Sequence, residues 1–450
     1  MSVLAYDATQ KHRTSTGRNS SGPATIQLRR GAWWLHPGWT GILIVLPCLA
    51  ITCLIPGNDF RLWWRTPKYF GTADALLTAL LLGIFVVGTM VPNLTRRRTQ
   101  ARSPQLIVTA AQRRVLLMAG RVFLGLTLVG YVSWMVAALS RGFGKQQLLG
   151  ALSLEQGALL SARGEYLTTV PGLTTLTQFG PLALILLLLD RRINDRRHTL
   201  WLTVLATFSL ARVFLNAERL ALMEMAVPIV VLCAAMQPKH HRKQRTWLWA
   251  MIPLFAPAAV TTIFGVFEYT RSWNDFYARH SHIGFGTFVL RRLGGYYATA
   301  SNNSAILLHH YAPSAPMNFT LPFVSDAPIL RWSFRHIHSG VVSRPDGWSA
   351  LLMRYGNLEF VNDGGILPTI TDFGLAGALA WWGAIGLLIG ICYRSMRSGE
   401  IRGLIVYAVT YLGLLEMGLV FYWGLGRAFP VIVGGFVTWL LLHRARAGEE

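Results

Sequence analysis

The residues best equipped for chemistry are Arg212, Arg219, Arg271, Arg291, Arg292 and Arg427. A guanidinium is planar and permanently charged, and it meets phosphate oxygens through parallel N–H bonds, so this set suits a diphosphate ligand. Acids stand beside them in the chain, with Glu218 next to Arg219, Glu268 just before Arg271 and Asp275 just after it. Trp273, Tyr296 and Tyr297 share these stretches, and their rings offer faces for stacking on sugars.

Histidine is the other candidate type. Six of the twelve, His280, His282, His309, His310, His336 and His338, fall in one segment. Two H-x-H pairs would share a strand face and could hold a metal there. Few carboxylates lie nearby and neither H-E-x-x-H nor C-x-x-C occurs, so the reading is that no metal and no cofactor is used. The four cysteines, Cys48, Cys53, Cys233 and Cys392, lie within apolar runs, which fits core thiols better than disulfides or a zinc set.

What positions these groups is read from composition. Of 450 residues 52% are hydrophobic and only 14% charged, against about 25% in ordinary soluble domains, while 42 Lys+Arg against 20 Asp+Glu leave a net charge of +22. Disorder and soluble nucleic-acid binding are both excluded by that apolar content. A span needs about 20 mostly apolar residues. Ten stretches approach this: Trp39 to Pro56, Ala73 to Pro92, Val115 to Leu139, Leu173 to Leu189, Leu200 to Phe214, Leu220 to Met236, Trp247 to Phe267, Ile370 to Cys392, Leu404 to Trp423 and Phe429 to Leu442. Only Asn216-Ala217-Glu218-Arg219 separates the fifth from the sixth, so a single bent or re-entrant pair is an alternative there.

The basic residues cluster in the tails and alternate loops, as cytoplasmic segments do. With 24 of the 42 on one face, both termini are expected inside. The expectation is therefore an all-α, polytopic integral membrane protein of about ten transmembrane helices with a large outward-facing loop subdomain. Its parts are a disordered cytoplasmic tail over residues 1–38, helices over 39–268, the loop over 269–368, helices over 369–443 and a short tail over 444–450. The first 30 residues lack the apolar core of a cleavable signal peptide. The outward segment from Ser140 to Pro171, with Leu148, Leu149 and Leu152 beside Lys145 and Gln147, reads as an interfacial amphipathic helix.

The long loop holds sixteen aromatics and eight arginines against five acids, a density that implies packing or a ligand surface. Ile283 to Thr299 has helical spacing, whereas Pro313, Pro316, Pro322 and Pro328 argue for irregular chain beside it. Charge inside apolar sequence converges on one level: Arg212, Glu218, Glu224, Glu268, Asp372, Glu416 and Arg427 all fall at or near the outer ends of their spans. Ionisable groups at that depth are costly and mark function by default. A cavity open to one side and bordering lipid suits a lipid-linked diphosphate whose tail stays in the bilayer.

Three stretches, Asn216-Ala217-Glu218-Arg219-Leu220-Ala221-Leu222, Glu268-Tyr269-Thr270-Arg271-Ser272-Trp273-Asn274-Asp275 and Arg291-Arg292-Leu293-Gly294-Gly295-Tyr296-Tyr297-Ala298-Thr299-Ala300-Ser301-Asn302-Asn303, resemble the Wzy-type polymerases of O-antigen and exopolysaccharide repeat units. Asp372-Phe373-Gly374 also looks like the start of a late span in that family, and the likeness is best over Ala211 to Gly377. The resemblance implies a metal-independent glycosyltransferase of the bacterial inner membrane, working at its periplasmic face on undecaprenyl-diphosphate-linked glycan. By position its loop arginines would be Arg271, Arg291, Arg292 and Arg354, the last through an R-x10-G spacing to Gly365. Arg219 joins them as a diphosphate ligand.

With a lipid diphosphate as leaving group, fixed cations can stabilise the departing charge without a metal. The base for the acceptor hydroxyl needs hydrogen-bond reach; Glu218, Asp275 and the loop histidines all qualify, with Glu218 and Asp275 the better candidates. Partners would be the glycan lipid, membrane lipid and a chain-length regulator, and not nucleic acid. Rival readings are a ligase acting on finished glycan and a polyisoprenoid-lipid flippase or transporter.

Overall fold

A computed structural model describes residues 23–29, 32–94, 105–153, 155, 157–216, 218–237, 246–311, 317–326 and 344–448. Most of that chain is helical: α1 (Pro37–Leu54), α2 (Gly57–Trp64), α3 (Thr72–Leu94), α4 (Ala110–Ser140), α5 (Lys145–Leu152), α6 (Gly180–Asn194), α7 (Thr199–Leu215), α8 (Arg219–Ala235), α9 (Ile252–Glu268), α10 (Phe285–His310), α11 (Arg344–Tyr355), α12 (Pro368–Arg397), α13 (Ile401–Leu415) and α14 (Phe429–Ala447). Among the described residues α1, α3, α4 and α12 are long and apolar enough to cross a membrane, and α7, α9 and α13 are shorter apolar helices.

The surface says what surrounds them. In the most apolar window of these four helices only 28% to 44% of residues are buried, so more than half of an apolar sequence faces outward. On α4 the outward residues include Met118, Val122, Val129, Val132 and Val136. A helix bathed in water would place polar groups there; an apolar outside belongs to a membrane-embedded protein.

Local sequence explains the helix starts. His36 Nδ1 accepts the Gly38 N–H at 3.2 Å, and Pro37 occupies the first turn of α1, where its missing N–H costs nothing. Thr109 and Gln112 form a reciprocal capping box at the start of α4, at 3.2 and 3.3 Å. Glycine sets the closest approach of two helices: a Cβ on Gly386 of α12 would stand 2.4 Å from the Phe85 carbonyl of α3, and one on Gly390 would stand 2.7 Å from that of Thr89. Small residues four apart let helix backbones touch in this way.

One end of the bundle carries a two-stranded antiparallel sheet, β1 (Ala24–Gln27) on β2 (Gln105–Val108), with Ala24 opposite Val108. Residues 24–29 lie within the expected disordered tail; instead Ile26 and Leu28, with Leu106 and Val108, are buried, the period of two that a half-buried pair of strands needs. At this sheet end Arg394 donates to the Pro92 carbonyl at 2.6 Å, Arg397 to that of Arg29 at 2.9 Å and Gln112 to that of Leu442 at 3.2 Å. Arginines in the last turns of α6, α12 and α14 complement the negative helix ends.

The opposite end gathers α2, α10, α11 and the starts of α8, α12 and α14. Asn216 and Glu218 form a turn between two separate helices, α7 and α8, with Ala217 outside the described residues. The stretch with helical spacing is the first half of α10. α5 exposes Leu148, Leu149 and Leu152. The cysteines depart from the core-thiol expectation: Cys48 is buried, but Cys53 and Cys233 are exposed, since an apolar run in a lipid-facing helix need not be interior.

Candidate active site

Helix α10 is the scaffold of the site, and its small and amide residues explain why. A Cβ on Gly295 would lie 2.4 Å from the indole nitrogen of Trp64, so only glycine lets α2 dock there, and Trp64 Nε1 donates to the Arg291 carbonyl at 3.0 Å. Asn302 clamps the chain between α2 and α3: its oxygen accepts the N–H groups of Tyr69 at 2.6 Å and Phe70 at 3.1 Å, and its amide donates to the Pro67 carbonyl at 2.9 Å. Asn303 does the same for the loop after α11, donating to the carbonyls of Phe360 at 2.7 Å and Asn362 at 2.9 Å. Asn357 joins loop to α2, donating to the Trp64 carbonyl at 2.9 Å and accepting the Glu359 N–H at 2.9 Å. These bonds hold Glu359 in place.

Two charged groups occupy this end. In the first, the fully buried Glu268 lies 3.6 Å from Arg219 and 3.4 Å from Arg292. Arg292 continues to Glu359 at 2.9 Å, and the Tyr277 hydroxyl donates to both Glu359 oxygens at 3.0 and 3.3 Å. The Arg219 guanidinium lies over the rings of Phe264 at 4.2 Å and Tyr296 at 4.7 Å. Burial by itself would lower the Arg292 pKa, but Glu268 and Glu359 raise it overall, so this side chain stays charged. Burial pushes the Tyr277 hydroxyl up; Arg292 opposes this and Glu359 adds to it, leaving a protonated donor.

The second group ties α8 to α14. Arg427 reaches Glu224 at 2.6 Å and Glu218 at 3.5 Å, and Tyr422 donates to Glu224 at 2.9 Å. Arg212 lies 3.3 Å from Glu218 and donates to the Thr177 hydroxyl at 2.8 Å. With its amide oriented to suit its neighbours, Gln178 donates to Glu224 at 3.2 Å and accepts from Arg212 at 3.0 Å. Glu416 lies within electrostatic reach of Arg427, Glu224 and Arg219, members of both groups.

The structure thus brings Arg219 and Arg292 together on a shared carboxylate, and joins Glu218 to Arg212 and Arg427 rather than to a ligand face. The cations of both groups are balanced by Glu218, Glu224, Glu268 and Glu359. Arg291 is different: it lies over the Trp63 ring at 4.9 Å and has no ion pair among the described residues. The side chains of Arg271 and Asp275 lie outside the described residues, although their backbone belongs to the wide turn Tyr269–Tyr277.

Arg354 stands apart, exposed and over its neighbour Tyr355 at 5.2 Å. The rings named for sugar stacking are engaged in packing. Trp273 meets Phe285 and Phe288, and Tyr296 meets Phe264 and Phe360. Tyr297 points to the other side of α10, toward Cys48 and Gly418. Asp372 accepts the N–H groups of Phe319 at 3.0 Å and Thr320 at 2.6 Å, anchoring loop to α12.

Among the histidines, His309 pairs with Asp74 at 3.0 Å, and His310 stacks on Tyr355 at 4.2 Å. Both lie about 25 Å from Arg292 along α10 at roughly 1.5 Å per residue. His336 and His338 lie outside the described residues. Sequence reading assigned no role to Tyr277, Glu359, Trp63 or Arg65, an exposed residue at the end of α2 with φ 51° whose charge is felt by Tyr277. The available signal was the Trp-Trp-Arg run, aromatic next to cation, and the scarcity of acids in the loop.

No family model, curated protein or solved structure matches this chain.

Proposed function

We propose that the protein is an inner-membrane glycosyltransferase that polymerises undecaprenyl-diphosphate-linked repeat units at the outer face. In this reading ten helices, α1, α3, α4, α6, α7, α8, α9, α12, α13 and α14, cross the bilayer, the sheet end with its basic helix termini lies in the cytoplasm, and α2, α10 and α11 form an outer subdomain. The supporting observation is the coexistence, at one end, of Arg291, on an aromatic platform and without an ion pair among the described residues, with a half-exposed, firmly held Glu359. Fixed guanidiniums beside lipid-facing helices suit a diphosphate whose tail remains in the membrane.

Arg291, with Arg65 at the end of α2, which docks on α10 through Trp64, is the ligand cation in this reading. Arg219 and Arg292 serve behind it, because their charge is already matched by acids.

The test is the glycan profile of a deletion strain. Loss of long polymer with single repeat units left on outward-facing lipid carrier supports the polymerase. Long chains retained on carrier lipid would indicate a ligase, and units trapped facing the cytoplasm a flippase; either outcome overturns the assignment.

A further inference from the structure

We propose that Glu359 takes the proton from the attacking sugar hydroxyl, with Tyr277 and Arg292 as its positioning residues; the proposal rests on the glycosyl-transfer reading above. The choice among acids follows from access. Glu268 is fully buried and Glu224 nearly so, whereas the Glu218 side chain, 23% exposed, is held between Arg212 and Arg427. The Glu359 side chain is 46% exposed, and it belongs to the same linked group as Arg292 and Glu268.

Its geometry is fixed from three sides. Tyr277, from the wide turn after α9, donates to both oxygens, and Arg292, from α10, donates to Oε2 at 2.9 Å. Glu268 stands behind Arg292 at 3.4 Å and keeps the guanidinium from swinging away. The backbone on either side is bonded through Asn357 to α2 and through Asn303 to α10. An ionised carboxylate has about four lone-pair directions, so after these donors capacity remains on the exposed side for a hydroxyl. Holding a reactive group this way is how a site places it at attack distance.

The charged and titratable groups about it come from several elements: Arg292 on α10 and Tyr277 on the turn touch it, and the charge of Arg65 at the end of α2 reaches Tyr277. Arg291 precedes Arg292 on α10 and lies over Trp63. A donor diphosphate bound by Arg291 and Arg65 would set its sugar beside this carboxylate. In the step, the acceptor O–H bond breaks and its proton passes to a Glu359 oxygen. The freed pair forms the bond from acceptor oxygen to the donor's anomeric carbon, and the bond from that carbon to the phosphate oxygen breaks, its pair leaving on the lipid diphosphate.

The experiment uses full-length protein in lipid vesicles with the lipid-linked repeat unit extracted from the deletion strain as substrate. Glu359→Gln keeps the shape and an acceptor for Tyr277 but cannot take the proton as a carboxylate does. It is expected to lower kcat about 100-fold, the lower range for loss of a general base, with KM within about threefold of wild type. Glu359→Asp is expected to recover roughly tenfold of that loss, and Tyr277→Phe to lower kcat about tenfold with KM unchanged, as misplacement of a base does.

Wild-type kcat in Glu359→Gln, or a raised KM with kcat kept, overturns the role of Glu359 while leaving the polymerase reading intact. Absence of polymer from the wild-type protein sinks that reading itself. Should Glu359→Gln fail to fold, Tyr277→Phe decides, because it preserves the ring packing on Phe288 and every charge; an unaltered kcat there refutes the proposal.

Discussion

The Arg292 guanidinium stands 3.4 Å from the Glu268 carboxylate, and neither oxygen of this fully buried acid accepts a hydrogen bond among the described residues. Charge alone, from Arg292 and Arg219, compensates it. Removing one partner of a buried pair costs about 3–5 kcal/mol when the other is left uncompensated; Arg219 would remain 3.6 Å from Glu268, so that range is an upper bound here. Arg292→Ala is therefore expected to lower thermal stability in detergent by up to that amount. Adding Glu268→Gln should recover at least half of the loss, and a double variant no more stable than Arg292→Ala would refute the coupling.

Gly295 is the contact point between α10 and the Trp64 indole, where a Cβ would lie at 2.4 Å. Gly295→Ala forces α2 to shift, and overpacking of this kind costs about 1–3 kcal/mol. Trp64 loses its bond to the Arg291 carbonyl, so melting temperature should fall and, on the proposed polymerase function, polymer length with it. Unchanged values of both would show that α2 is free to move without consequence.

Arg291 and Arg65 have no acid partner among the described residues, unlike Arg219 and Arg292. Arg291→Ala and Arg65→Ala are thus expected to leave stability within about 0.5 kcal/mol, as surface substitutions do. On the proposed function their effect should fall on donor binding, where losing one charge-assisted hydrogen bond to a diphosphate would raise KM for the lipid-linked unit about tenfold. A melting shift without a KM change would mean that these arginines support the fold instead.

At the opposite end Glu400 joins α12 to α13, bonded to Arg402 at 2.8 Å and to the Ser395 hydroxyl at 2.6 Å. Burial would raise its pKa, but the bonds from Arg402 and Ser395 prevail and lower it. A carboxyl whose pKa is depressed on folding contributes stability above its unfolded value, about 4.3, and that contribution is lost as pH falls through the folded value. Wild type should lose stability faster than Glu400→Gln as pH drops below about 4.3. Parallel curves would show that this contact does not couple to folding.

Much of the framework was legible because its signals are local. Apolar runs near span length mark α1, α3, α4 and α12, and the spacing of Phe285, Phe288, Val289 and Tyr296 marks α10, since helix formation depends on neighbours three and four residues apart. β1 and β2 were not legible: four-residue strands some 80 positions apart in the chain carry almost no periodic signal of their own, and only pairing buries them.

By itself, then, the sequence determined the helical, membrane-type build and that arginines and acids would stand at the helix ends, because hydrophobicity and local periodicity are properties of the chain. Only the tertiary structure decided which charge neutralises which. Glu268 has Arg219 on one helix and Arg292 on another, and Glu359 comes to Tyr277 from 82 residues away. Coulomb attraction and hydrogen bonding depend on distance in space, and chain order says nothing about which equal charges will be drawn into ion pairs and which, like Arg291, have no ion pair among the described residues.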